Sequence, residues 1–329
     1  MTENGGDVLY PWQDAAWASV RQRMHGGRLP HALLLIGPEG LGKRALAQRL
    51  SRILLCTSPG SDGAPCGSCQ GCQLMAAGSH PDHHLLEPEE GSRVIKVDAV
   101  RELSRVLGMK SQLGGERIGI ITPAESMNTN AANSLLKTLE EPPERTTLIL
   151  VAHRPAQLPA TIRSRCQTVT IPAPSHAVAA SWLEARGQGE AVKLLGVVGN
   201  APLAAQALHE KGGTESLQTL LEQMRGIAEG RLSPVDVASR WGKDDVDRVT
   251  RLLLAVIMDL IRVQATQAEA RISRLNQLPA ALDSDAVHDF LDEIMEQRRL
   301  ADHPLNHQLV LERLFIRWSQ VCAKEGAHG

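Results

Sequence analysis

The chain of 329 residues is 43% hydrophobic and 22% charged. That is apolar side chain enough for more than one core, and it excludes a disordered or fibrous protein. With 35 Lys and Arg against 37 Asp and Glu the formal charge is -2, so no global field draws the chain to DNA or to an anionic membrane. Any nucleic-acid role must be local or shared with partners, and aromatic residues at 2% are too few to supply stacking platforms for single strands.

The segment Met1–Asp7 is acidic and lacks the apolar core of a signal peptide. The longest apolar run, Leu252–Met258, is followed by Asp259 and Arg262, far short of the roughly 20 residues a bilayer requires. No membrane role is expected, and a cytoplasmic location is. Ala32–Ile36 is a continuous apolar run ending at a glycine, as a buried parallel strand does. Arg44–Leu55 carries Leu46, Ala47, Leu50, Ile53 and Leu54 at helical spacing, and a second helix follows Asp98, read as its N-cap, with Val100, Leu103, Val106 and Leu107 on one face. Arg117–Ile121, Thr147–Ala152 and Cys166–Ile171 read as strands, with a weaker one at His83–Leu86, and Ala131–Glu141 is a helix stopped by Pro142 and Pro143. Strands separated by helices predict an α/β domain with a mostly parallel sheet.

Past Ile171-Pro172-Ala173-Pro174 there is no further strand-like run. Ser216–Glu229, Asp245–Gln264, Ser284–Leu300 and Asn306–Val321 read as the helices of a bundle, and Lys211-Gly212-Gly213 as a linker. The expected organisation is an α/β domain over residues 1–172, a small helical unit over 173–210 and a larger helical domain over 211–329.

Gly37-Pro38-Glu39-Gly40-Leu41-Gly42-Lys43 fits the phosphate-loop pattern G-x-x-x-x-G-K. Gly37, Gly40 and Gly42 let backbone N–H groups wrap phosphates at a helix N-terminus, and Lys43 reaches the terminal phosphates. The pattern alone is weak; a strand before it and an amphipathic helix after it give it weight. Arg44 stands where a Ser or Thr hydroxyl would ligate Mg²⁺, and a guanidinium cannot ligate a cation. A working ATPase also needs carboxylates at the end of a neighbouring strand, yet Arg117–Ile121 runs into Thr122 and Pro123. Glu125, three residues on, is expected to face elsewhere. Two readings stay open: a loop kept only as a strand-to-helix turn, or one that binds nucleotide without turning it over. Self-contained hydrolysis is not expected.

Of six cysteines, four crowd into C-x9-C-x2-C-x2-C at Cys56, Cys66, Cys69 and Cys72. Four thiolates in one loop can close a tetrahedron around a structural Zn²⁺ with no open position, and Pro59, Gly60, Gly63, Gly67 and Gly71 permit the turns. Buried free thiols or an iron–sulfur cluster are the alternatives. His80, His83 and His84 come soon after but are not enlisted as ligands. Arg165, in Ser164-Arg165-Cys166 between a short helix and a strand, reads on its own as a solvated charge.

Together these residues resemble the delta-prime subunits of the bacterial DNA polymerase III clamp loader. The likeness runs from His31 to Cys166: the phosphate-loop segment, the cysteine module with Gln70-Gly71-Cys72-Gln73-Leu74-Met75 and His80-Pro81-Asp82, the run Asn130-Ala131-Ala132-Asn133-Ser134-Leu135-Leu136-Lys137-Thr138-Leu139-Glu140-Glu141-Pro142-Pro143, and Ser164-Arg165-Cys166. The resemblance implies an AAA+ domain with an inserted zinc module, a small helical lid and an all-α collar, without a working ATPase. It implies delta and gamma or tau subunits as partners, with the sliding clamp and primer-template DNA engaged through the complex. It also implies that Arg165 is an arginine finger given in trans to a neighbour's ATP site, within a DNA-directed DNA polymerase holoenzyme. Arg44, Thr122, Pro123 and the arginine-free Gly199-Asn200-Ala201-Pro202 depart from the active gamma and tau relatives. The rival readings are an autonomous P-loop ATPase and a zinc-ribbon nucleic-acid module.

Overall fold

A computed structural model describes residues 9–60, 64–241, 246–272, 274–279, 282–300 and 307–323. The chain divides into two units, Met1–Ala173 and Pro174–Gly329. In the first, elements alternate in the order α1 (Asp14–His25), β1 (Ala32–Ile36), α2 (Lys43–Leu54), α3 (Gln70–Ala76), β2 (His83–Leu86), α4 (Val97–Leu107), β3 (Arg117–Ile121), α5 (Thr129–Glu140), β4 (Thr146–Ala152), α6 (Ala160–Arg163) and β5 (Gln167–Thr170). The five strands are all parallel in the order β2-β3-β4-β1-β5. This is the mostly parallel α/β sheet that the sequence predicts.

Pleat alternation explains how one sheet is covered twice. Ala32 and Leu34 of β1 and Leu148, Leu150 and Ala152 of β4 join one buried cluster with Val100, Leu103 and Leu107 of α4, Ala131, Leu135 and Leu139 of α5, and Ile162 of α6. Leu33 and Leu35, also buried, point to the opposite face, where α2 lies against β1 and β4. Strands buried on both sides need continuous apolar runs rather than alternation, as in β1 and β4.

Several expected boundaries shift by a residue or two because capping, not hydrophobicity, sets them. Asp98 is not an N-cap: Lys96 holds that position, and Asp98 lies in the first turn of α4, paired with Arg101 at 3.4 Å. There its charge still suits the helix N-terminus. α5 starts two residues before Ala131 because the Asn128 side chain accepts from the Ala131 N–H at 2.8 Å.

In the second unit, every element among the described residues is helical: α7 (His176–Glu184), α8 (Pro202–Glu210), α9 (Gly213–Ala228), α10 (Pro234–Ser239), α11 (Val246–Thr266), α12 (Ser284–Leu300) and α13 (His307–Ala323), with short 3-10 turns at Gly189–Leu194 and Leu275–Gln277. The expected helix ends at Asp245 and Asn306 fall outside the described residues. Leu220, Met224, Leu253, Val256, Phe290, Leu314 and Trp318 are fully or nearly fully buried in this unit. Trp318 also satisfies its indole N–H on the Met224 carbonyl at 2.8 Å. No helix among the described residues is long and apolar enough to cross a membrane.

Asp82, just ahead of β2, holds the sheet edge together. Its buried carboxylate accepts from Ser111 Oγ (2.9 Å) and from the Gln112 and Leu113 N–H groups (3.0 and 3.2 Å), pinning the α4–β3 connection. Burial opposes its ionisation, but these hydrogen bonds outweigh it and hold its pKa below the ordinary carboxylate value. A carboxyl depressed in the folded state stabilises fully above its unfolded pKa, and the contribution is lost as pH falls through the folded one. Asp82→Ala should cost about 1–3 kcal/mol at neutral pH, since it strips three part-buried donors of their charged acceptor. The gap from wild type should narrow below about pH 4, as denaturant melts at several pH values would read directly.

Candidate functional site

β1 delivers the chain into the phosphate loop, and β5 closes on it. The Ile171 N–H donates to the Ile36 carbonyl at 2.8 Å, and a Cβ on Gly37 (φ 149°) would lie 2.3 Å from the Ile171 oxygen. Only glycine fits there. Gly42, at φ 74°, leads into α2. Lys43 is buried, and its ammonium donates to the Gly37 and Pro38 carbonyls at 2.7 and 2.6 Å. Burial pushes its pKa down to about 8, against the pull of Glu125 and Glu39.

The loop has a buttress that periodicity does not reveal. The Tyr10 ring packs against Gly42 and stacks on Trp12 with centroids 5.1 Å apart. Trp12 Nε1 and Gln13 Nε2 both donate to the Leu41 carbonyl, at 3.0 and 2.7 Å. Two aromatics close together in a chain this poor in them were the available signal. Arg44 is turned to the end of β2, paired with Glu87 at 2.8 Å.

Thr122 and Pro123 come after β3, as the sequence requires, but Glu125 does not face elsewhere. The 3-10 turn Ala124–Ser126 swings it back over the end of β4. Its side chain is 2% exposed, and Oε1 accepts from the His153 and Arg154 N–H groups at 2.9 and 3.0 Å. One carboxylate, engaged by backbone donors, therefore comes close enough to Lys43 to act on its charge. Beside it, burial and then Lys43 hold the His153 pKa below its ordinary value.

The cysteine module is rooted in the C-terminus of α2. Cys56, Cys66, Cys69 and Cys72 bring their sulfurs within 4.8 Å of one another, with Cys66–Cys72 and Cys69–Cys56 each at 3.9 Å. A tetrahedron with metal–sulfur bonds of about 2.3 Å has edges of about 3.8 Å, so the geometry fits a four-coordinate ion. Backbone N–H groups point at the sulfurs: Cys66 N to Cys56 (3.3 Å), Cys69 N to Cys66 (3.3 Å) and Cys72 N to Cys69 (3.4 Å). Such donors stabilise thiolate charge. The Cys69 thiol is lowered to about 5, first by the Thr57 side chain and then by the Cys72 N–H, while burial and the Cys69 thiol push Cys72 up to about 12. Gly71 is obligatory, because a Cβ there would lie 2.3 Å from the Leu55 carbonyl oxygen against which α3 packs. Gly63 lies outside the described residues. His80, His83 and His84 do not join the sulfur cluster; His80 Nδ1 instead accepts from the Asp82 N–H at 3.1 Å.

Arg165 lies between α6 and β5. Gln167 is level with Leu33 in the sheet, so Arg165 is level with His31, six residues of strand rise (about 20 Å) before Gly37. It therefore sits at the opposite end of the strands from the phosphate loop. Its Nε donates to Glu140 Oε1 at 2.9 Å, Nη2 lies 2.8 Å from the same oxygen as an ion pair, and Nη1 donates to the Thr161 carbonyl at 3.0 Å.

The family described as "DNA polymerase III, delta subunit" matches residues 12–175, and its C-terminal counterpart matches residues 213–320. The chain is 37% identical to the DNA polymerase III subunit delta' of Pseudomonas aeruginosa over 327 residues, covering 95% of this chain and 98% of that one. It is 33% identical to the Yersinia pestis subunit delta' (94% and 95% covered) and 38% identical to that of Escherichia coli K12 (65% of each).

The sulfur geometry generates a direct expectation. Elemental analysis of chain purified without a metal-binding tag should find one metal ion per chain, and Cys69→Ser should lose it. In that variant hydrogen exchange should rise around residues 56–76 while the second unit stays protected.

Proposed function

The chain belongs to the delta-prime family of DNA polymerase III subunits, and from that premise we propose that it is the clamp-loader subunit that hydrolyses no ATP itself. With delta and gamma or tau subunits it completes a ring that, driven by ATP on its partners, opens the sliding clamp and sets it on primer-template DNA. It is thereby a cytoplasmic part of a DNA-directed DNA polymerase holoenzyme. Residues 173–210 serve as the lid and 211–329 as the collar through which the ring assembles. The metal is Zn²⁺, whose tetrahedral all-thiolate shell leaves no water site and so confines it to holding the module together.

The observation that carries this reading is the chemistry at the strand ends: Thr122 and Pro123 after β3, and Arg44, paired with Glu87, after Lys43. No hydroxyl stands ready for Mg²⁺ at position 44, and neither Thr122 nor Pro123 after β3 offers a carboxylate for metal or water. Lys43 and the three loop glycines retain the means to hold phosphate; nucleotide at that site would be bound without turnover. Arg165, about 20 Å from its own loop by strand rise, is given to the neighbour's γ-phosphate, where a planar permanent cation stabilises the charge of phosphoryl transfer. Glu125, close enough to act on the Lys43 charge, is the feature that favours the rival reading of an autonomous ATPase.

Two measurements separate these readings. The isolated chain, free of gamma or tau, should show no multiple turnover of ATP, and Arg44→Ser should not restore it; turnover by the wild-type chain would establish the rival. In the reconstituted complex, Arg165→Ala should assemble normally yet lower DNA- and clamp-stimulated hydrolysis, by up to about 10³-fold or more at the site it serves. Arg165→Lys should rescue little, for want of the fork geometry.

A further inference from the structure

Resting on the reading of Arg165 as a donor in trans, we infer that Glu140 is the positioning residue for its guanidinium. Arginine has a long side chain with many rotamers, and at a half-exposed site between a four-residue helix and a strand the local contacts, from Thr161 and Ser164, reach only Nη1. The structure supplies the selection from another element. Glu140 is the last residue of α5 and binds both Nε and Nη2 of Arg165 through Oε1 at 2.9 and 2.8 Å. Nη1 is fixed by the Thr161 carbonyl at 3.0 Å and the Ser164 hydroxyl at 3.4 Å. Every nitrogen of the fork is thus engaged by its own chain, and of its five N–H donors at least one remains for a phosphate oxygen.

The platform behind Glu140 is rigid. Ala131, Ala132, Leu135 and Leu139 of α5 are buried, Thr138 Oγ1 donates to Ser104 Oγ of α4 at 3.0 Å, and Pro142 and Pro143 lie just past the helix end. The same helix is capped by Asn128, two residues past the turn that brings Glu125 close enough to act on the Lys43 charge. One packed helix therefore runs from beside the chain's own loop to the residue that orients the guanidinium. The pair itself is half-exposed, with side chains 36% and 52% accessible, so it adds little to folding stability. Its effect falls on orientation, where small misplacement is costly to rate.

The test uses the reconstituted complex with Glu140→Ala, Glu140→Gln, Arg165→Ala and the double alanine variant, read by ATP turnover and by assembly on a sizing column. Glu140→Ala should lower kcat on the order of tenfold at unchanged KM for ATP and unchanged assembly. Glu140→Gln, which keeps an acceptor oxygen, should recover most of the loss. The double variant should match Arg165→Ala, because Glu140 acts only through that guanidinium. Wild-type or raised turnover in Glu140→Ala, or a further loss in the double variant, would overturn the positioning role while leaving the in-trans reading intact. Unchanged turnover in Arg165→Ala would instead overturn the in-trans reading, and the positioning role with it.

Discussion

β1 and β5 lie side by side in parallel, four residues deep, from Leu33 opposite Gln167 to Ile36 opposite Thr170. The chemistry of the first unit depends on that pairing at both its ends. At one end β5 runs on to Ile171, whose carbonyl approaches Gly37 so closely that only glycine can begin the loop. At the other, the same register fixes Arg165 where β5 begins. A slip of one residue would turn every side chain of β5 to the other face and would move the loop support and the guanidinium together. The two ends are thus set by one ladder of hydrogen bonds. Keeping the phosphate loop in shape serves Arg165 as well, whether or not the loop ever holds nucleotide.

Three buried or half-buried cations are satisfied in two different ways. Lys43 is held by two carbonyls of its own loop, with no counter-charge in direct contact among the described residues, and burial lowers its pKa. Arg117 at the start of β3 is held by the carbonyls of Leu107, Met109 and Glu144, which ties α4, β3 and the turn before β4 without a carboxylate. Arg165 alone among these three takes a carboxylate, on a surface where salt and a competing anion can both reach it. The contrast separates cations that fix the fold from one whose bonds can be exchanged.

Much of this was legible in the chain. β1 and β3 begin and end where the sequence predicts them, because strands buried on both faces tolerate little polarity and their limits are therefore sharp. The phosphate loop and the cysteine cluster were legible through spacing, since each is built within one short stretch. The features the sequence hid depend on backbone turns and on contacts between distant elements. Asp98 has the right side chain for a cap, but the backbone enters the helix at Lys96. Glu125 reads as facing away because its distance from the strand says nothing of the 3-10 turn that folds it back. Trp12 and Glu140 gain their roles from Leu41 and Arg165, 29 and 25 positions away, separations over which periodicity carries no information.

The cysteine module has unequal tolerance to changes of length. The nine residues between Cys56 and Cys66 form a loop whose ends meet at the sulfur cluster, and the entropy of closing a loop grows only with the logarithm of its length. Doubling it would cost about 0.6 kcal/mol. The segment from Cys69 to Cys72 is the first turn of α3, where each added residue rotates the remainder of the helix by about 100° about its axis. An insertion there would carry a thiolate out of the tetrahedron and bring a side chain round to the Leu55 carbonyl in place of Gly71. Related chains should therefore differ in size ahead of Cys66 and keep their spacing strictly beyond it.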